Sequence, residues 1–262
     1  MILAAPVTIA LLAINVMVFS IQCYLEGAMQ LNRFLGRGFG VHLPAALIPG
    51  WRWSDWFGHT FALSLDGLRT GHFWQLLTFQ FMHGGVLHIL LNSWAIFVFG
   101  PVVEYTLGRA RMLGLYLVSG VVGGFLQVAG VLVWPRLFDY GPVVGASAGV
   151  FGLMAAFAVF YPREKLYLLL FFVIPLALKA RTFLMLLALI SVAGILYPLW
   201  QPLLSGHSSF TLQLDRLIDP LFANVGHAAH LGGLFAGLAG AIAFKRRRLP
   251  TPIPPHAQPA SQ

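Results

Sequence analysis

Three hydrophobic stretches of the chain contain polar side chains that could take part in chemistry: His88 with Asn92, then Ser147, then His230. Polar groups inside membrane-spanning helices are costly, and by default they mark functional sites. A serine becomes a nucleophile when a histidine accepts its proton, and further hydrogen-bond donors stabilise the oxyanion that forms. These residue types therefore predict acyl-transfer chemistry, carried out inside a lipid bilayer.

The composition supports a membrane location. Of the 262 residues, 58% are hydrophobic and 9% are charged, whereas about a quarter of the residues in soluble domains are charged. The net charge of +8 does not indicate nucleic-acid binding, because the basic residues lie in the gaps between apolar runs, where the positive-inside rule places them. The single cysteine, Cys23, excludes an intrachain disulfide.

Apolar segments predict an all-α, polytopic domain with six membrane-spanning helices over residues 1–244. They lie at about 6–24, 80–101, 112–134, 145–161, 182–202 and 224–244. The first segment has neither a basic leader nor a cleavage pattern, so we expect it to be an uncleaved span. The basic, proline-containing tail, 245–262, is expected to be disordered.

Two segments between the apolar runs are not expected to cross the membrane. The stretch 25–79 is rich in glycine, proline and tryptophan, which predicts a long outer loop at the interface. The stretch 166–178 has 13 residues with Pro175 among them. Because it is too short to span a bilayer, it is predicted to be a loop that dips into the interface.

The distribution of basic residues predicts that both termini are cytoplasmic, with a bacterial plasma membrane as the expected location. The even-numbered gaps and the tail hold ten bases, whereas the odd-numbered gaps hold six. The second, fourth and sixth helices then run from outside to inside. The depths of His88, Ser147 and His230 agree within roughly 8 Å, so these side chains are expected to meet near the outer side.

Glycine spacing predicts close contact between the fourth and sixth helices, because small residues let membrane helices approach closely. Residues recurring at steps of three and four share one helical face. In the sixth helix these are Gly226, His230, Gly233, Gly237 and Gly240, and in the fourth they are Gly145, Gly149 and Gly152. Packing alone would explain the glycines. A serine beside one set and a histidine within the other favour a catalytic site.

The remaining histidines have alternative interpretations. His88 and Asn92 are four residues apart and project from one helical face, as paired donors or as a buried clamp between helices. His83 is expected to be structural and to link loops at the outer surface. His227 and His230 could form a two-histidine metal site, but no carboxylate or cysteine joins them. We therefore expect no metal and no other cofactor.

Two other hydrolase arrangements are disfavoured. Residues 145–149 fit the G-x-S-x-G nucleophile elbow of α/β hydrolases, but that fold requires alternating strands and helices and an acid between serine and histidine. The acids closest before His230, Asp215 and Asp219, lie in a predicted outer loop. Lys179, the other conceivable base for Ser147, lies in a cytoplasmic gap at the opposite end.

The motifs resemble those of the rhomboid family of intramembrane serine proteases. The resemblance covers residues 72–240 and extends to the number of helices. The matching residues are Gly145-Ala146-Ser147 for G-x-S, Ala229-His230 with Gly233 and Gly237 for A-H-x-x-G-x-x-x-G, His88 with Asn92 for H-x-x-x-N, and Gly100, Glu104 and Gly108 for G-x-x-x-E-x-x-x-G.

The resemblance implies a nucleophile at Ser147, a general base at His230, and an oxyanion hole formed by His88, Asn92 and the Ser147 backbone amide. Two positions depart from the family. Gln75 stands after Trp74 where the family has Trp-Arg, which puts the anchoring of the first loop in doubt. Phe151 replaces a tyrosine that stacks on the histidine, and it keeps the stacking face.

The expected function is cleavage of peptide bonds in or near the transmembrane segments of other membrane proteins. The expected partners are those substrates and the lipid bilayer, not nucleic acid. A catalytically silent, rhomboid-like protein that binds membrane clients is the alternative. A transporter or channel would be expected to carry acids inside the membrane, and the predicted spans contain only Glu104, at a cytoplasmic end.

Overall fold

The computed structural model describes residues 5–39, 53–135, 137–138, 141–170, 174–204 and 225–247. The helices are α1 Pro6–Phe39, α2 Trp53–Phe61, α3 Leu65–Arg69, α4 Gln75–Thr78, α5 Val86–Leu107, α6 Arg109–Val133, α7 Ser147–Phe160, α8 Ala180–Leu204 and α9 His227–Arg247. The strands are β1 Lys165–Leu170 and β2 Ile174–Lys179, and a 3₁₀ turn covers Phe79–Phe81.

The predicted all-α, multi-pass architecture is confirmed. Within the described ranges, α1, α5, α6, α8 and α9 are long and apolar enough to cross a membrane. Helix α7 is equally apolar but has only 14 residues, a length of about 21 Å, so it is shorter than a bilayer is thick. Most of its residues are buried, because α5, α6 and α9 surround it.

Glycines set the distance between α7 and α9. A β-carbon at Gly233 would collide with the backbone of Ala148, and one at Gly237 would collide with the backbone of Gly152. Only residues without side chains allow these two helices to lie backbone against backbone. The contact predicted from the glycine spacing is therefore present, and it brings the beginning of α7 next to the first turns of α9.

Glu104 joins α1 to α5. Its carboxylate accepts hydrogen bonds from the backbone amides of Val7 and Thr8, at 3.0 and 2.8 Å, and from the Thr8 hydroxyl at 2.8 Å. Gly100, one turn earlier on α5, leaves room for the Thr8 side chain. A buried carboxylate thus caps the N-terminus of a neighbouring helix, where unpaired amides and the helix dipole favour a negative charge.

Gln75 anchors the segment before α5. Its side chain is fully buried, accepts a hydrogen bond from the Ser64 amide at 3.1 Å, and donates one to the His59 carbonyl at 2.7 Å. Trp74 and Thr78 donate to the neighbouring carbonyls of Thr60 and Phe61, each at 2.8 Å. The doubt that Gln75 raised about this loop is removed, since a neutral amide satisfies the end of α2 and the start of α3.

Three sequence expectations differ from the structure. Helix α1 continues to Phe39 instead of ending near residue 24, and 25–79 contains α2, α3 and α4 rather than only loop. The stretch 166–178 was expected to be a loop, which is wrong: β1 and β2 pair as an antiparallel hairpin. Pairing of the strands satisfies backbone groups that a loop would leave open. Asp215, Asp219 and the tail beyond Arg247 lie outside the described residues.

Candidate active site

Ser147 and His230 are in direct contact. The Nε2 atom of His230 lies 2.9 Å from Oγ of Ser147, a distance typical of a hydrogen bond between a nucleophile and its base. Ser147 is the first residue of α7, and His230 lies in the first turn of α9. The glycine contact between these two helices therefore places the two side chains together.

Aromatic rings fix the orientation of the His230 imidazole. Phe151, one turn after Ser147 on α7, stacks on it with a centroid distance of 4.3 Å and an interplanar angle of 13°. His227 approaches it edge-on, at 5.8 Å and 87°. Among the described residues no carboxylate hydrogen-bonds the His230 ring. In the described part of the chain, packing against Phe151 and His227 therefore holds the imidazole in its orientation.

The backbone at Ser147 offers a hydrogen-bond donor. The first hydrogen bond of α7 runs from the Val150 amide to the Ala146 carbonyl at 3.0 Å. The Ser147 amide lies before this bond and therefore has no acceptor within its own helix. Because the positive end of the helix dipole lies here, the site favours a negative charge. A developing oxyanion beside the serine would meet this amide.

His88 and Asn92 lie on α5 and line the same cavity as Ser147. Nδ1 of His88 accepts a hydrogen bond from the Gly84 amide at 3.4 Å, which leaves Nε2 as the protonated nitrogen of the neutral ring. Nε2 points toward Gly145, where a β-carbon would lie only 2.7 Å away. Asn92 uses its Nδ2 group to donate to the His88 carbonyl at 3.1 Å, and Nδ2 has a second hydrogen to donate.

The four side chains open into one cavity of about 980 Å³. Ser147, His230, His88 and Asn92 all line it, and most of the remaining lining residues are apolar. Apolar residues from α5 and α8 include Leu91, Trp94, Leu187 and Ile195. A large apolar cavity with a few convergent polar groups is the usual form of a substrate site.

His83 lies behind His88 and not at the surface where it was expected. It is 2% exposed, and its ring meets that of His88 at 5.2 Å and 72°. Gln22 of α1 holds its backbone on both sides, accepting from the His83 amide at 3.0 Å and donating to the His83 carbonyl at 3.2 Å. Burial, and then the neighbouring His88, lower the pKa of His83 to about 4.

Sequence reasoning missed two residues at the site. Gln127 of α6 accepts a hydrogen bond from the Ala229 amide at 3.3 Å, directly before His230, and so caps the start of α9. Gly194 of α8 makes room for the His227 ring, with which a β-carbon would collide. A glutamine inside an apolar span was a signal that could have identified Gln127.

A metal site was considered for His227 with His230. The described residues contain no group of three or more histidine, cysteine, aspartate or glutamate side chains that could hold a metal ion. The two rings meet edge to face instead. Within the described ranges, the contact of these two rings therefore helps to orient the His230 imidazole.

Comparison with known proteins identifies the family of this chain. The family model of the rhomboid domain matches residues 70–247, and the chain belongs to the rhomboid family. The rhomboid protein YdcA of Bacillus subtilis is 41% identical over 91 residues, which cover 35% of this chain and 43% of that protein. Rhomboid protease GluP of the same organism is 32% identical over 89 residues, covering 34% and 16%.

A eukaryotic relative aligns over a longer stretch. Presenilin-associated rhomboid-like protein A, a mitochondrial protein of Danio rerio, is 30% identical over 159 residues, which cover 61% of this chain and 34% of that protein. The chain spans less than half the length of each of these three relatives. Family membership and the apolar helices establish a multi-pass integral membrane protein with an intramembrane-protease or rhomboid-like function.

Proposed function

We propose that this protein is a serine endopeptidase that hydrolyses peptide bonds in or near the transmembrane segments of other membrane proteins. The observation that carries the proposal is the 2.9 Å contact between Ser147 Oγ and His230 Nε2. It lies at the N-terminus of α7 and opens into an apolar cavity. A candidate nucleophile, its base and candidate oxyanion donors around one cavity support acyl transfer as the reaction class.

In the acylation step, Nε2 of His230 accepts the Ser147 proton while Oγ attacks the carbonyl carbon of the scissile bond. The tetrahedral intermediate then collapses, the carbon–nitrogen bond breaks, and His230 donates the proton to the leaving amine. Water next attacks the acyl-serine ester and gives its proton to His230, which returns it to Ser147 as the acid product leaves. Every proton is therefore handled by one imidazole.

The proposed oxyanion hole has three donors. They are the Ser147 amide at the start of α7, Nε2–H of His88 and the second Nδ2–H of Asn92. A donor of this kind typically lowers the barrier by about 3–4 kcal/mol, since it is already oriented when charge develops. Two of the three belong to α5, so the proposed oxyanion hole depends on how α5 and α7 pack.

The proposed orientation has both termini in the cytoplasm and the cavity open toward the outer side of the membrane. It rests on the basic residues that lie in the even-numbered gaps between spans and at and directly after the C-terminal end of α9, from Lys245 to Arg248. Water for the second step would then enter from the outer side. We expect substrate helices to reach the cavity from the bilayer, because the residues of α5 and α8 that line it are mostly apolar.

The test is cleavage of single-span membrane proteins by the purified full-length chain in detergent. The wild type should cleave members of such a panel, and Ser147→Ala should not. Ser20→Ala is the matched control, because Ser20 is exposed on α1 and its hydroxyl bonds only the Val16 carbonyl of its own helix. Substantial cleavage by Ser147→Ala would contradict the proposed mechanism.

A fluorophosphonate probe distinguishes an active enzyme from a silent family member. The probe should label the wild type and Ser20→Ala at Ser147, and labelling should fall in His230→Ala because the base is lost. A wild type that binds membrane proteins but neither cleaves them nor reacts with the probe would instead be a client-binding member of the family.

A further inference from the structure

The β1–β2 hairpin places two lysines directly opposite each other on the face that points away from the helix bundle. Lys165 pairs with Lys179, and Tyr167 pairs with Ala177 in the next register position. Opposed residues of antiparallel strands share a face, as do alternate residues along one strand. All four are exposed, Tyr167 by 64%, while Leu166 on the other face packs against the core of the bundle. We call these four residues the lysine-pair face.

This face carries unbalanced positive charge. Like charges directly opposite each other destabilise a strand pair, and Arg163 and Arg181 lie just beyond the two lysines along the chain. Among the residues that the structure describes, neither the two lysines nor these two arginines form an ion pair. Glu164 is the only acid between residues 161 and 204. An anion that contacts both ammonium groups would remove the repulsion.

The position of the face in the chain sets its depth in the membrane. Helix α7 ends at Phe160, and α8, which is long enough to span, begins directly after Lys179. The open end of the hairpin therefore lies where a span meets the membrane surface. In the described part of the chain β1 and β2 pair only with each other. Their outer edges carry unpaired backbone groups, so the hairpin cannot lie in the hydrocarbon layer of the membrane. An exposed tyrosine is also typical of the interface.

From this placement we propose that the lysine-pair face binds the phosphate group of an anionic phospholipid. Lys165 and Lys179 contact the phosphate from both strands, and Tyr167 packs against the glycerol and the upper part of the acyl chains. Phospholipid phosphates are the anions present at this depth in high density. This binding is independent of the chemistry at Ser147 and does not require the protein to be a protease.

Native mass spectrometry of the full-length protein in neutral detergent tests the proposal. With phosphatidylglycerol and phosphatidylcholine added at equal concentrations, the wild type should retain phosphatidylglycerol preferentially. Lys165→Gln with Lys179→Gln should lower its retention by about 10–30-fold, since one basic residue at a membrane surface contributes roughly a factor of five. Retention of phosphatidylcholine should change less, because its choline cation offsets the phosphate charge, and Lys165→Arg with Lys179→Arg should keep the preference for phosphatidylglycerol.

A matched control separates a site from general attraction. Arg109→Gln with Arg111→Gln also removes two exposed charges, from the start of α6, and should leave the preference for phosphatidylglycerol intact. Equal losses in the two double variants would overturn the proposal in favour of diffuse attraction by net charge. Displacement of phosphatidylglycerol by an equal concentration of inorganic phosphate would also overturn it, because the site would then take any anion.

Thermal unfolding guards against a folding defect. Without lipid, Lys165→Gln with Lys179→Gln should unfold at the same temperature as the wild type or higher, because a like-charge pair has been removed. Phosphatidylglycerol should raise the unfolding temperature of the wild type and not that of the variant. An equal rise in both would contradict a site at these lysines.

Discussion

The ring of His88 packs against the α-carbon of Gly145. A β-carbon at position 145 would lie 2.7 Å from Nε2 of His88 and 2.8 Å from its Cε1. The backbone φ of Gly145 is +134°, a conformation that residues with side chains rarely adopt. Both facts require glycine here, so Gly145 determines how closely the His88 ring approaches Ser147.

Gly145→Ala is therefore expected to lower kcat by about 10²–10³-fold, the usual effect of losing one oxyanion donor. The measurement is the rate of cleavage of a single-span substrate. Gly114→Ala on α6 is the control, because nothing lies within 4 Å of an added β-carbon at that position. Equal rates for the two variants would show that the approach of His88 does not matter.

His88→Ala and Asn92→Ala should each lower kcat by about 10–1000-fold, because a donor to the transition state is lost. KM should change less, since a ground-state carbonyl gains little from these groups. The double variant should lose less than the product of the two single effects, because the Ser147 amide remains as a donor in every variant. A rise in KM at constant kcat would place both residues in substrate binding instead.

Gln75→Ala should lower the free energy of unfolding by about 2–4 kcal/mol, since it leaves the Ser64 amide and the His59 carbonyl without their partner. Thermal or denaturant unfolding in detergent measures this loss. Thr70→Ala is the comparison, because its hydroxyl also bonds carbonyls but at an exposed position, and it should cost under about 0.5 kcal/mol. A stable Gln75→Ala would mean that the α2–α3 segment is held elsewhere.

Stability should fall in acid because of His83. Its pKa is about 4 in the folded protein and 6.5 ordinarily, so the unfolded chain binds a proton more readily between these values. Above pH 6.5 the neutral His83 ring does not reduce the free energy of unfolding. As the pH falls from 6.5 toward 4, protonation of His83 in the unfolded chain lowers this free energy by up to about 3 kcal/mol. Unfolding curves between pH 7.5 and 4.5 measure it. His83→Gln should flatten the dependence; an unchanged slope would assign it to other groups.

The orientation in the membrane has its own test. A reporter fused after Arg248 should behave as cytoplasmic, and one inserted within residues 203–223 should behave as external, because α9 connects the two positions. A reporter within 203–223 that behaves as cytoplasmic would invert the orientation. In that case water would have to reach Ser147 from the cytoplasm.

The sequence predicted the contact between Ser147 and His230 because two patterns agreed. Hydropathy placed the residues at similar depth, and the glycine spacing placed them on faces that pack together. The hydrogen-bonding roles of Gln75 and Gln127 were not predicted, because their partners are backbone groups of residues that lie 11 and 102 positions away in the chain. Such bonds are decided by tertiary packing, which leaves no periodic signal.

The β-hairpin was missed for a different reason. Residues 166–178 form a nearly continuous apolar run, and such a run has neither the period of a helix nor that of a strand with one face in water. Its length excluded a span but did not identify the pairing. The register of Lys165 with Lys179, on which the proposed lipid contact depends, could come only from the structure.

The shortness of α7 has a consequence for the source of water. A span of 14 residues obliges the chain before Ser147 to descend into the membrane as irregular backbone, which is tolerated only where it is buried in protein or faces an aqueous space. Val143 and Gly145 bond the backbone of Leu63 and Phe79, and Gly141, Pro142 and Val144 border the cavity. Water that contacts this irregular backbone makes a short span tolerable within the bilayer. The same water would thus also reach Ser147 and hydrolyse the acyl-serine ester.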